Sequence, residues 1–250
     1  MNESFVFDRY GSISERREEF LGWLLSELNQ LAVLKTAVDV GCGVGVFADF
    51  LRGRGLTVVG LDARADHIAE ARKRYHEVQF HVQNVEDPVD QDLGPADLVL
   101  CFGLLYHLEN PFRAIRNLHV LTRKVAVIES MVIPGGRPGA ILLDEGHRED
   151  QSLEYVAFVP SESCLVKMLY RAGYAAVYKP TRMPEHQDFT TSVRSKKKRT
   201  ILVAAQCELA LPALQRLPEV FLMDVWKRAW VHRADRVLHL IKNPFTRNSQ

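Results

Sequence analysis

The stretch Val38-Asp39-Val40-Gly41-Cys42-Gly43-Val44-Gly45 is an apolar run that passes directly into a glycine loop. Residues 37–40 read as a buried strand, and residues 46–54 read as the helix that follows. Glycines at such a joint let the backbone approach a ligand closely and set helix N-terminal amides beside it. The spacing is GxGxG rather than GxGxxG, and Asp39 stands two residues before the first glycine. A dinucleotide would rest an anionic pyrophosphate on this loop, and that carboxylate would oppose it. A cationic ligand would be favoured instead. The other role open to Asp39 is to brace the glycine loop.

The alternation continues downstream. Residues 56–61, 78–82, 96–102 and 125–131 read as strands, and residues 65–75 as a helix. Asn110 and Pro111 have the form of an N-cap and first helical residue, opening a helix to about residue 121. This β-α-β rhythm predicts a parallel sheet covered by helices on both faces. Upstream, Ser12 and Glu15 form a capping-box pattern, and Phe20, Leu24, Leu28 and Leu31 recur at helical spacing with Leu21 and Leu25 beside them. Residues 132–160 break the rhythm with Pro134, Gly135, Gly136, Pro138 and Gly139, followed by an acidic stretch. They are expected to form a lid or substrate loop. Ser161 is the predicted N-cap of a helix that stops at Gly173. Residues 174–179 and 200–205 read as closing strands, and residues 217–241 as a last, amphipathic and basic helix. The expected organisation is an N-terminal helical segment (1–35), a core domain (36–206) with an insertion at 132–160, and a C-terminal helical extension (207–250).

Two further elements bear on a ligand. Gly60-Leu61-Asp62-Ala63 ends the second strand, and Asp62 lies about twenty residues beyond the glycine loop, where an acidic side chain binds ribose hydroxyls. Its plainer role is a helix cap. Gln83-Asn84-Val85-Glu86-Asp87 follows the third strand. Here the Asn84 amide oxygen can accept from an adenine amino group, and a backbone amide can meet a ring nitrogen. A simple polar turn is the alternative.

These motifs resemble the class I S-adenosylmethionine-dependent methyltransferase family over residues 36–205. The resemblance implies a Rossmann-like, seven-stranded, mostly parallel sheet whose final strand runs antiparallel. It implies S-adenosylmethionine as cofactor, with S-adenosylhomocysteine as product. The ammonium and sulfonium of that cofactor suit Asp39. The binding residues it implies are Asp39, Gly41, Gly43, Gly45, Asp62, Ala63, Asn84, Val85 and Phe102.

On the acceptor side, Phe102-Gly103-Leu104-Leu105-Tyr106-His107-Leu108-Glu109-Asn110-Pro111 resembles the LYH motif of the tRNA wobble-uridine carboxymethyltransferase group. Phe158-Val159-Pro160-Ser161, leading to Gly173-Tyr174, resembles a later segment of that group. The resemblance places Tyr106 near the transferred group and Phe102 near the methionine part of the cofactor. It leaves plain and carboxylated S-adenosylmethionine both open. Only about 35 residues precede the first strand, fewer than that group carries. For transfer to a hydroxyl, His107 is the candidate base, since an unperturbed imidazole pKa near 6.5 suits the work. Its alternative role is to orient the turn before Asn110. Glu145 and His147 could belong to the acceptor site or to a solvated loop, and Asp144, Glu145 and His147 do not complete a metal site. Glu129 could bind a polar acceptor or be a buried, paired carboxylate.

The 250 residues, 47% hydrophobic and 25% charged with net charge +1, describe an ordinary globular chain without a bulk electrostatic bias toward nucleic acid or membrane. No uncharged apolar run is long enough to span a bilayer, no signal peptide is evident, and Cys42, Cys101, Cys164 and Cys207 form no CxxC pair. A cytoplasmic protein with reduced thiols is expected. The dense basic run Arg194, Lys196, Lys197, Lys198 and Arg199 reads as a solvated face, or alternatively as a grip for RNA phosphates. The sequence thus points to methyl transfer onto a polar small molecule such as a sugar or natural-product hydroxyl. The alternatives are a tRNA-modifying enzyme and a non-catalytic, cofactor-binding partner subunit.

Overall fold

The computed structural model describes residues 11–146, 153, 155–191 and 198–219. Helix α1 (Gly11–Asn29) leads into β1 (Thr36–Val40), α2 (Val46–Arg52), β2 (Thr57–Asp62), α3 (Ala65–Arg74), β3 (Gln79–Val82) and β4 (Ala96–Phe102). Then follow α4 (Pro111–Leu121), β5 (Thr122–Met131), β6 (Ala140–Asp144), β7 (Val156–Pro160), α5 (Glu162–Ala172), β8 (Ala176–Pro180), β9 (Arg199–Ala205) and β10 (Leu214–Leu217). The main sheet has the order β10-β8-β9-β5-β4-β1-β2-β3. The pairs β2–β3, β1–β2, β1–β4 and β4–β5 are parallel, while β9 runs antiparallel between β5 and β8.

The α/β, Rossmann-like class therefore stands, with one correction. The main sheet has eight strands rather than seven, because Leu214–Leu217 adds antiparallel to β8. These residues lie in the stretch expected to be a helical extension. Four residues at a sheet edge carry too short an alternation to be seen, and only Leu214 among them is buried. The expected helix at residues 217–241 falls almost wholly outside the described residues.

The inner strands of the main sheet divide their side chains between two cores, as a doubly covered sheet requires. Ala37, Leu98, Val125 and Val127 join Phe20, Leu21, Leu24, Leu51 and Ile68 on the α1–α3 face. Val38, Val99, Ala126 and Ile128 join Ile115, Leu118, Leu165 and Leu169 on the α4–α5 face. Asn110 caps α4 by accepting from the Arg113 N–H, and Ser161 caps α5 by accepting from the Cys164 N–H. The N-terminal helix differs from expectation at both ends. It is already formed at Gly11, so Ser12 and Glu15 lie within it rather than capping it. It stops at Asn29, and Leu31 is left outside, 43% exposed.

Residues 132–160 also depart from the expected loop. β6 and β7 form an antiparallel ribbon in register from Ala140↔Pro160 to Asp144↔Val156. All five β6 residues are exposed, so no half-buried alternation marked the strand. The ribbon's base is fixed by Ser161, whose N–H donates to the Gly139 carbonyl (2.8 Å) and whose hydroxyl donates to the Arg137 carbonyl (2.8 Å).

Candidate active site

One continuous cavity of about 960 Å³ opens over the carboxyl ends of the parallel strands, where open α/β sheets bind their ligands. Its first half is built on the glycine loop. The Gly41 and Cys42 amides both donate to the Leu61 carbonyl (2.7 and 3.0 Å), tying the loop to β2. Gly41 and Gly45 have φ of +74° and +89°. A Cβ at Gly45 would meet Phe80 at 2.8 Å, so both conformation and space demand glycine there.

Asp62 braces this loop while lining the cavity. Its Oδ2 accepts from the Gly43 N–H (2.9 Å) and its Oδ1 from the Arg64 N–H (2.9 Å). Ala63, Asn84 and Val85 continue the wall. The Asn84 Oδ1 accepts from the Glu86 N–H (3.0 Å), and the Val85 carbonyl accepts from the Asn117 side chain (2.6 Å). Phe102 closes this half at the end of β4, edge-on to Phe47 with ring centroids 5.3 Å apart. Asp39, Gly43 and Gly45 stand behind the wall rather than in it. Asp39 is 2% exposed and its Oδ2 is left without a hydrogen-bond partner. Burial, and then the neighbouring Asp62 charge, push its carboxyl up to about 7.

The second half is assembled from distant segments. After β4 a 3-10 turn, Leu105–His107, presents Tyr106 and His107. The Tyr106 hydroxyl accepts from Arg199 Nη2 (3.1 Å), and burial raises its pKa, keeping the phenol protonated. Arg199 also donates to Glu129 Oε1 (2.9 Å), while Arg17 from α1 donates to Glu129 Oε2 (3.0 Å). Glu129 is fully buried. Burial alone would raise its pKa, but the two guanidiniums outweigh it and hold the carboxylate low. His107 Nδ1 lies 2.9 Å from Glu145 Oε2, contributed by the residue just after β6.

A methyltransferase-domain family model matches residues 12–179, more than half of the chain. The chain belongs to this methyltransferase family, of the class I, S-adenosylmethionine-dependent type. It is similar to the ubiquinone biosynthesis O-methyltransferase of Thiobacillus denitrificans, 28% identical over 155 residues that make up 60% of this chain and 60% of that one. It is also similar to the tRNA U34 carboxymethyltransferase of Actinobacillus succinogenes, 27% identical over 152 residues, 57% of this chain and 46% of that one. The matched segments span only 34% to 60% of the length of the first curated relatives. Among solved structures it resembles S-adenosylmethionine-bound CalS10, an amino pentose methyltransferase from Micromonospora echinaspora, with a TM-score of 0.57 at 17% identity over 82% of this chain and 100% of that one. At that identity the likeness is one of fold.

The first half of this methyltransferase's cavity fits the family's cofactor. An orphaned, buried Asp39 oxygen and the Asp62 carboxylate together favour a cation and disfavour a pyrophosphate. The sequence reading brought together Gly41, Asp62, Ala63, Asn84, Val85, Phe102, Tyr106 and His107, and all eight line one cavity. Arg17 was missed, because a lone Arg on an amphipathic helix carries no signal of its own. Arg199 was placed in the solvated basic run, yet its side chain is only 16% exposed and points into the cavity wall, while Lys198 beside it is exposed. Strand alternation in β9 was the available clue. Glu129 takes the buried, paired role. His147 lies outside the described residues.

Proposed function

We propose that this methyltransferase acts on a hydroxyl of a polar small molecule, a sugar or natural-product acceptor, with His107 as general base. The observation that carries the reading is the single cavity that joins a carboxylate-bearing cofactor half to a polar half containing Tyr106 and His107. Asp62 would receive the ribose hydroxyls, while Asn84 Oδ1 and the Val85 N–H would receive adenine. When bound, S-adenosylmethionine supplies an electrophilic methyl whose C–S electron pair stays with sulfur. The chain's task is to align the acceptor oxygen. His107 takes the hydroxyl proton, leaving the oxygen pair for the methyl carbon. Tyr106, kept protonated, offers a hydrogen bond rather than a second base.

The choice between plain and carboxylated cofactor turns on the Arg17–Glu129–Arg199 cluster. Both guanidiniums share one buried carboxylate of the chain itself, while the Arg17 Nε has no partner, so the cluster keeps one donor that a carboxylated cofactor could engage. The tRNA-modifying alternative draws on the LYH motif and the Actinobacillus relative. Against it stands Arg199, which leaves the basic run for the cavity wall.

The test is transfer from radiolabelled S-adenosylmethionine to a panel of catechol, glucose and glucosamine. Turnover on one of them is expected. His107→Ala should keep S-adenosylhomocysteine affinity by calorimetry and lose about 10²- to 10⁴-fold in rate. Tight cofactor binding with no transfer to any hydroxyl would favour the non-catalytic partner subunit. A His107→Ala variant with full rate would remove the base assignment.

A further inference from the structure

We infer that Glu145, delivered by the β6–β7 ribbon, is the positioning residue that orients His107 and raises its basicity, so that the ribbon completes the acceptor site. The inference rests on the reading of His107 as the base.

The chemistry of the contact fixes the tautomer. A carboxylate oxygen only accepts, so the 2.9 Å contact requires that His107 Nδ1 carry the hydrogen. The basic lone pair then lies on Nε2. A carboxylate on the far nitrogen holds the ring in one orientation and stabilises the imidazolium that forms when Nε2 takes a proton. The pair is well shielded, with side chains 18% and 12% exposed, so the interaction is stronger than a solvated ion pair.

The backbone delivers Glu145 with little freedom. Its N–H donates to the Tyr155 carbonyl (2.8 Å), one step beyond the Asp144↔Val156 pair that ends the ladder. Tyr155 holds a left-handed φ of +58° there. β7 in turn packs on the turn that carries the base, since Ala157 and Val159 form a buried cluster with Tyr106. The strand that seats the ribbon and the turn that presents His107 are therefore one packed unit. A ribbon lifted from this seat would withdraw Glu145 from His107. The other charged or titratable side chains lining the cavity include Tyr106 beside His107, Arg199 against Tyr106, Arg17, His186 and Asp188, and Glu86, Asp87, Glu109 and Arg113.

A structural clamp would show the same contact, so the test reads the ring itself. In the full-length protein, ¹⁵N NMR titration of His107 should show the Nδ1–H tautomer. In Glu145→Gln its pKa should fall by about one unit or more, because an opposite charge has been removed. With the best acceptor of the panel, Glu145→Gln should lower kcat about 10- to 10²-fold, a smaller loss than removing the base itself. The acid limb of the rate profile should move to lower pH, and S-adenosylhomocysteine affinity should hold. Glu145→Asp should recover part of the rate. In a His107→Ala background, Glu145→Gln should cost nothing further. An unshifted His107 pKa in Glu145→Gln, or an additive loss in the double variant, would overturn the inference while leaving His107 as base. Full activity of His107→Ala, together with the expected fall of the His107 pKa in Glu145→Gln, would instead sink the base reading and leave only the pairing.

Discussion

The two halves of the cavity are built in opposite ways. The half proposed for the cofactor is local: Gly41, Asp62 and Asn84 sit at or just past the ends of β1, β2 and β3. The other half draws Arg17 from α1, Tyr106 and His107 from the turn after β4, Glu145 from the β6–β7 ribbon and Arg199 from β9, with Glu129 of β5 buried behind them. The first half holds carboxylates waiting for a cation. The second is a paired network in which the single carboxylate of Glu129 binds two guanidiniums. A site made of contiguous strand-to-loop joints tolerates loss of one contact, whereas a buried charge network depends on every member.

That contrast is most sharply broken at Glu129. Glu129→Ala would leave Arg17 and Arg199 without their shared counter-ion and should destabilise the protein by about 3–5 kcal/mol in denaturant unfolding. Loss of less than about 1 kcal/mol would mean that the network is not structural. Because the Glu129 carboxyl is held below its ordinary range, its contribution to stability is present above the unfolded-state pKa. It is lost as pH falls through the lower folded value.

On the cofactor side a smaller effect is expected. Asp62→Ala should weaken S-adenosylhomocysteine binding by about 1.5–3 kcal/mol, the range for hydrogen bonds to a charged group. Unchanged affinity by calorimetry would take Asp62 out of the site.

Asp39 gives a pH signature of opposite sign. Its carboxyl is raised to about 7, so its contribution favours the fold at low pH and is lost as pH rises through that value. Asp39→Asn should therefore melt higher than the parent at pH 8 and differ less at pH 6. Cationic cofactor should lower the Asp39 pKa, so binding near pH 6.5 should release a proton, read by calorimetry in buffers of different ionisation enthalpy. Proton uptake, or none, would separate Asp39 from the cofactor.

The least effect is expected on the basic run. Replacing Lys196, Lys197 and Lys198 together by alanine should leave turnover on a small acceptor unchanged. tRNA binding that falls steeply with salt and disappears in the triple variant would revive the RNA reading.

The sequence by itself determined most of the sheet and the strand-end loops that line one half of the cavity. A strand, a tight turn and a helix start are specified by neighbouring residues, so the period of apolar side chains and the glycines at 41, 43 and 45 carry the information locally. Even Asn110 and Ser161 were legible, because a cap is a contact with a residue three positions on. Only the tertiary structure decided the acceptor half. Arg17 meets Glu129 across 112 residues, Arg199 meets Tyr106 across 93, and Glu145 meets His107 across 38. β9 between β5 and β8 carries Arg199 to Glu129, and the packing of β7 on Tyr106 carries Glu145 to His107. Charged side chains have no periodicity that names a partner. Their meaning is set by burial and by which strand lies next to which, and those follow from how the whole chain packs.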